Sequence, residues 1–251
     1  MAGRSDLGFG GKVAVGGFLL GLVAAALAAG SGLGNRFGVW TYREGFAALE
    51  WIVYVGAAAA VISLVGAALS WKGARIALVL ALVGLVLGAA VAWIPYKTRM
   101  ALRASPRLAD ITTDMTNPPA FVAALAVRTA DKARNSTDYS PDKAALQAKS
   151  YPDIKPVMLP LPSEAAFDKA LAAVKGAGLR IIAADKSAGR IEATATTFWF
   201  GFKDDVVVRV APAPGGTGSK VDIRSTSRVG VREAGTNAAR VRKMAAAIAG
   251  K

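Results

Sequence analysis

Three long apolar stretches in the first 96 residues constrain this chain more than any other feature. Residues 13–30, 51–69 and 74–94 run for 18, 19 and 21 positions, and Arg75 at the edge of the third is their one charge. A bilayer core of about 30 Å needs roughly 20 such residues in a helix. In lipid a helix satisfies its own backbone hydrogen bonds, which an isolated strand or loop cannot do. The pattern predicts three transmembrane helices over residues 1–96, followed by a tether and extended surface segment over 97–154 and an α+β domain over 155–251. A secretory leader is a poorer match, because its apolar region is about 7–15 residues long and two further spans follow here.

Charge divides unevenly along the chain. The first 96 residues hold 6 Lys/Arg and 3 Asp/Glu, the rest 25 and 14. The +11 excess after the anchor invites anionic partners, and for a tethered domain the nearest anions are lipid headgroups. No segment matches a nucleic-acid module, so nucleic acid is not an expected partner. The chain has no cysteine and no histidine. That removes disulfides, thiolate chemistry, the usual general base near neutral pH and the commonest metal ligands. No cofactor or metal is expected, and no GxSxG, SxxK or P-loop spacing occurs.

Small residues recur within the spans. Gly17/Gly21 and Gly84/Gly88 have the small-xxx-small spacing that lets helices approach closely, within the anchor or against another membrane protein. Residues 31–50, SGLGNRFGVWTYREGFAALE, are expected to be a loop between spans 1 and 2. Its Arg36, Phe37, Trp40, Tyr42 and Arg43 suit the headgroup layer or a docked partner. A tight turn at 70–73 joins spans 2 and 3. Three spans put the N-terminus and the domain on opposite sides. Basic residues number four (Arg4, Lys12, Lys72, Arg75) on the N-terminal side, against six (Arg36, Arg43, Lys97, Arg99, Arg103, Arg107) on the other. That count leans toward a cytoplasmic domain.

From residue 155 the pattern is regular. A strand at 157–161 leads into a helix at 163–175, whose Ala166, Phe167, Ala170, Leu171 and Val174 form one stripe. Strands follow at 179–184, 190–197, 205–211 and 220–227, then a helix at 235–249. The expected fold is a curved antiparallel sheet of about four or five strands in the order β-α-β-β-β-β-α, with helices packed on one face.

Two clusters in this region could carry function. Phe198, Trp199, Phe200 and Phe202, with Asp204 and Asp205 behind them, form FWFGFKDD. The rings could close the sheet core, line an apolar groove or dip into the membrane surface, and the paired acids could serve an enzyme or pair with arginines. The second is RSTSRVGVR. Strand alternation there puts Asp222, Arg224, Thr226 and Arg228 on one face and Val221, Ile223, Ser225 and Ser227 on the other. An exposed stripe of Arg224 and Arg228 beside Ser225 and Ser227 suits a carboxylate or phosphate. Salt bridges to Asp204, Asp205, Asp222 or Glu192 are the alternative.

At this second cluster the chain resembles the bacterial and plastid DUF1499 family, an uncharacterised family. FGFKDDVVVRV and VDIRSTSRVGVREAGTNAARVRKM carry the resemblance. Arg224, Ser225, Ser227, Arg228 and Gly230 match an arginine–serine–x–serine–arginine–x–glycine run, followed by Gly235, Asn237, Arg240 and Arg242. DITTDMTNPPAFVA, residues 110–123, resembles the start of the anchored proteobacterial type. Many members carry a cysteine near the domain start that this chain lacks, so no thiol role transfers. Relatives that look like lipoproteins imply a periplasmic domain, with the N-terminus in the cytoplasm of a bacterial inner-membrane protein. The strand order also resembles helix-grip modules, a likeness of fold alone. Together these features lead to a membrane-tethered, non-enzymatic binding or scaffold module, an accessory subunit or assembly factor of a membrane or envelope complex. The alternatives are a binding protein for an anionic amphiphile and an enzyme using Asp204 or Asp205.

Overall fold

The computed structural model describes residues 7–72, 75–232 and 234–251. Arg4 of the charge count, Gly73 of the inter-span turn and Ala74 at the start of the third stretch lie outside them. The chain divides into a helical unit that includes Phe198–Gly201, and a second unit formed by Leu102–Thr197 and Phe202–Lys251.

The helical unit contains α1 (Phe9–Arg36), α2 (Tyr42–Ser70) and α3 (Arg75–Ala104). All three are long and apolar enough to cross a membrane. At 1.5 Å per residue they run about 42–45 Å, so each outlasts a hydrocarbon core of about 30 Å. The glycines sit where helices cross. A Cβ on Gly17 would lie 2.5 Å from Ser63 Oγ, and one on Gly84 would lie 2.7 Å from the Phe18 backbone. Beside Gly88 the same atom would meet the Ala60 nitrogen at 2.6 Å. The small-residue spacings therefore pack the three spans against one another. A Glu50–Arg99 ion pair of 3.3 Å joins α2 to α3. Beside it on the same two helices lie the exposed ring pairs Trp51/Tyr54 and Trp93/Tyr96, an aromatic belt of the kind found at a bilayer interface.

Two expected irregular segments are helical instead. α1 runs through Arg36 and α2 begins at Tyr42, which reduces the expected 31–50 loop to residues 37–41. Gly32 and Gly34 make this possible: they are buried, and a Cβ on Gly34 would lie 2.1 Å from the Trp40 ring. Glu44 reaches back to the Thr41 N–H at 2.7 Å and helps start α2. α3 likewise passes Pro95 and continues to Ala104, through the first part of the expected tether.

The second unit is built on a six-stranded antiparallel sheet rather than one of four or five strands. Its elements are β1 (Asp110–Thr112), α4 (Ala123–Ala130), α5 (Pro141–Ser150), β2 (Val157–Leu159), α6 (Ser163–Gly176), β3 (Arg180–Asp185), β4 (Arg190–Thr196), β5 (Lys203–Pro212), β6 (Ser219–Ser227) and α7 (Thr236–Ala249). The strands lie in the order β1-β6-β5-β4-β3, and β2 shares the outer edge of β6 with β1. Asp110–Thr112 pairs with residues 224–226, while Val157–Leu159 pairs with 219–221.

The two faces of the sheet differ in chemistry. Register sets Val206, Val208 and Val210 beside Ser225, Ile223 and Val221. With Ile191 and Ala193 they bury against Phe167, Ala170 and Val174 of α6 and Val241, Met244 and Ile248 of α7. Val207 points the other way and packs with Phe121 and Ala124. Helices therefore cover both faces, not one. The second face also carries Glu192, Thr194, Asp205, Asp222, Arg224, Thr226 and Arg228, all buried.

Candidate functional site

Period-two alternation delivers the charged residues of β4, β5 and β6 to the second face, and Arg128 reaches them from α4. At the centre is Asp205, fully buried. Arg228 grips it with two hydrogen bonds, Nε to Oδ2 at 2.9 Å and Nη2 to Oδ1 at 2.6 Å. Arg128 Nη1 donates to the same Oδ2 at 2.8 Å, and the Thr194 hydroxyl donates to Oδ1 at 2.9 Å. Two further donors are also used: Arg128 Nη2 bonds the Asn135 carbonyl at 2.7 Å, and Arg228 Nη1 bonds Asp131. Lys203 hydrogen-bonds Asp131 from the other side, and that bond holds its carboxyl below the usual carboxylate range against the opposing effect of burial.

Arg224 forms a second, separate pair with Asp110 of β1. Nε bonds Oδ1 at 2.9 Å and Nη2 bonds Oδ2 at 2.7 Å, the parallel geometry that suits a guanidinium and a carboxylate. Nη1 and Nη2 also reach the Pro119 and Thr137 carbonyls, and the Phe121 and Tyr139 rings lie 5.2 and 5.5 Å from the guanidinium carbon. Burial, and after it the negative charge of Asp110, pushes the Tyr139 hydroxyl above its ordinary range. Arg224 and Arg228 are each 3% exposed. The face expected to be an exposed cationic stripe is thus a buried layer of matched ion pairs.

Ser225, Ser227 and Asp204 point to the opposite face, toward α7. Asn237 accepts from the Ser225 hydroxyl at 2.6 Å and donates to Ser227 Oγ at 2.9 Å. Arg240 bonds Asp204 at 2.8 Å and also reaches Ser225 and Asn237. The paired carboxylates Asp204 and Asp205 therefore lie on opposite sides of the sheet in two unconnected networks. They are not set up to act together on one substrate.

Sequence reasoning anticipated the Arg228–Asp205 pair among its alternatives, but missed Asp110 and Arg128 as partners. It also left Glu192 without its actual role. That carboxylate is fully buried and accepts the N–H groups of Val122, Ala123 and Ala124 at 2.8–3.1 Å, closing the first turn of α4. Near the far end of β6, Arg209 and Lys220 converge on Asp114 and Asp222. Burial opposes ionisation of Asp114, yet the Lys220 hydrogen bond leads the interactions that hold its carboxyl below the usual range.

The aromatic run Phe198–Gly201 belongs to the helical unit. Phe200 is buried, its ring 4.6 Å from that of Phe46 on α2. Trp199 donates Nε1 to the Ala29 carbonyl at 3.1 Å, and Asn35 bonds the Phe200 carbonyl. Phe198 is 82% exposed, with the Arg36 guanidinium 5.6 Å from its ring. In the short connection, Phe37 and Val39 are exposed, while Trp40 ties its Nε1 to the Ser31 carbonyl at 2.9 Å. Tyr42 stacks edge-on with Phe46 at 6.1 Å, and Arg43 is exposed. Phe202 belongs to the second unit, where its N–H donates to Thr197 Oγ1 at 2.9 Å.

Among the described residues no group of three or more acidic, histidine or cysteine side chains is placed to hold a metal ion. A groove of about 460 Å³ between β2 and α7, lined by Val157, Met158, Leu159, Ala245, Ala246 and Ala249, contains none of the clustered charges. The arrangement binds sheet, helices and the segment before β2 to one another.

A family model described as a protein of unknown function, DUF1499, matches residues 110–248, more than half of the chain. Its span begins at β1 with Asp110, the partner of Arg224, and ends in α7. No curated protein and no solved structure matches the chain. The chain belongs to the DUF1499 family.

Proposed function

We propose that this DUF1499 member is a membrane-tethered, non-catalytic module that binds or scaffolds another membrane or envelope component, as an accessory subunit or assembly factor. The observation that carries the reading is the state of the arginine–serine motif. Arg224, Arg228 and Ser225 donate to Asp110, Asp205 and Asn237, and Ser227 accepts from Asn237, all buried within one unit. A general acid, base or nucleophile must reach its substrate, and these groups are occupied by structural partners. The space between sheet and helices α6 and α7 is filled by Val206, Val208, Ile223, Phe167 and Met244, a packed core where an acyl chain would need room. Among the outward-facing apolar groups are the sides of the three spans, and Phe37 and Val39 in the connection between α1 and α2.

In this reading the protein is a multi-pass protein of a bacterial inner membrane, its N-terminus in the cytoplasm and its α+β domain in the periplasm. The spans and residues 31–50 offer the partner surface, while the RSTSR motif keeps the domain rigid. The test is purification of the tagged full chain from native membranes in a mild detergent. A membrane protein retained at fixed stoichiometry, and lost on Phe37→Ser/Val39→Ser substitution, is the expected result. A monodisperse monomer without partner overturns the proposal.

A further inference from the structure

Five basic residues gather on three adjacent segments where the second unit begins. Arg103 and Arg107 follow the third span. Arg232 donates from Nη1 to the backbone carbonyls of Arg103 and Ser105, which fixes the 228–232 turn beside them. The Arg134 and Asn135 N–H groups both bond the Arg228 carbonyl, at 2.8 and 3.1 Å. Asn135 Nδ2 also bonds the Gly230 carbonyl at 2.7 Å, bringing Lys132 and Arg134 to the same turn. Arg103, Arg107, Lys132 and Arg134 are exposed, and among the described residues none of them has a carboxylate partner. The nearby Asp131 is taken by Lys203 and Arg228. Glu233 lies outside the described residues.

This group sits at the end of a membrane span by covalent continuity. Arg103 is on α3 itself, nine residues past Ile94, the last residue of the apolar stretch, or about 14 Å along the helix. The headgroup layer extends roughly 5–8 Å beyond the hydrocarbon, so Arg103 lies within about one Debye length of it at physiological salt. Arg128, Arg209, Lys220, Arg224, Arg228 and Arg240 of the same unit are each paired with an acid. Those of the span end are not.

We infer that Arg103, Arg107, Lys132 and Arg134 form a docking face for the phosphate headgroups of anionic phospholipids, holding the start of the domain against its leaflet. The inference does not depend on the identity of any protein partner. Each basic residue near an anionic surface multiplies partitioning roughly fivefold, so four act strongly together at low salt and weakly at high salt. Arg232 is anchored to backbone carbonyls and sets the turn, and Val231 stands exposed at its tip.

The absence of cysteine makes the test clean. Val231→Cys in the full chain gives a single thiol, labelled with a neutral, membrane-impermeant maleimide in lipid nanodiscs. The expected result is labelling at least about fivefold slower in discs with about 30% phosphatidylglycerol than in phosphatidylcholine alone, at about 50 mM salt. The difference should vanish at about 500 mM salt, and in the R103Q/R107Q/K132Q/R134Q background. Equal rates in the two lipids overturn the inference, as does a lipid dependence that persists in the neutralised variant. Equal protection by inorganic phosphate in phosphatidylcholine discs would assign the face to a soluble anion instead, and overturn the lipid assignment. Wild-type and variant domains are compared by hydrogen exchange, so that loss of fold is not read as loss of binding.

Discussion

Substituting Asp205 by alanine removes the acceptor that holds two guanidiniums. Arg128 and Arg228 both donate to its Oδ2, at 2.8 and 2.9 Å, so truncation leaves two buried guanidiniums without their shared carboxylate, Arg228 keeping Asp131. Removing one partner of a buried ion pair costs about 3–5 kcal/mol, a large part of the roughly 5–15 kcal/mol that holds a domain together. At about 1.4 kcal/mol per decade, protection of β5 and β6 amides should fall by roughly two to four decades. Native-state hydrogen exchange on the full chain in detergent reads this directly. Asp205→Asn keeps the shape and one acceptor oxygen, and should fall between. Asp153→Ala is the control: its pair with Arg242 is solvent-exposed, and such pairs are worth about 0–1 kcal/mol. An increase in exchange below about tenfold for Asp205→Ala would refute the structural role. Unchanged protection combined with loss of a co-purifying partner would instead make Asp205 a recognition residue.

Gly84→Val should break the three-helix packing, because its Cβ would lie 2.7 Å from the Phe18 backbone; Gly16→Val, with nothing within 4 Å, should be neutral. Thermal unfolding followed by helical circular dichroism in detergent separates the two. Glu192→Ala should orphan three N–H groups at the start of α4, each worth about 1–3 kcal/mol when left buried and unpaired. Exchange should rise first in Ala123–Ala130, before β5 and β6. Asp131 has its carboxyl held down by the Lys203 hydrogen bond, so its contribution is full above the unfolded value of about 3.9 and is lost as pH falls through the lower folded value. Lys203→Met should lower exchange protection at neutral pH and, in an acid titration, lose less further protection below about pH 3.9 than the wild type does, because the folded value of Asp131 returns toward the unfolded one.

The part of the fold from β2 to α7 was legible because each element announces its period. Val206, Val208 and Val210 recur at period two between Asp205 and Ala211, with Arg209 on the other face, and Ala166, Phe167, Ala170 and Val174 recur at helical spacing. β1 and α4 were not legible for the opposite reason. Asp110–Thr112 is too short to show alternation, and its strand partners, residues 224–226, lie more than 110 positions away. The short α4 takes its start from Glu192, a carboxylate nearly 70 residues later in sequence, so no local capping signal exists. The charged face of β6 was legible as a face, but not as buried. Alternating charge on a strand ordinarily means solvent, and only residues 113–140, folded over that face, exclude it. The arginines themselves resist any other arrangement. Shifting β6 by one residue would turn Arg224 and Arg228 toward Val241 and Met244, and Ile223 toward Glu192 and Asp205. No acid on the α7 side matches two guanidiniums, since Asp204 is already held by Arg240. The matched pairs therefore act less as a source of net stability than as a register lock: they make every slipped pairing of the sheet cost a buried, unpaired charge.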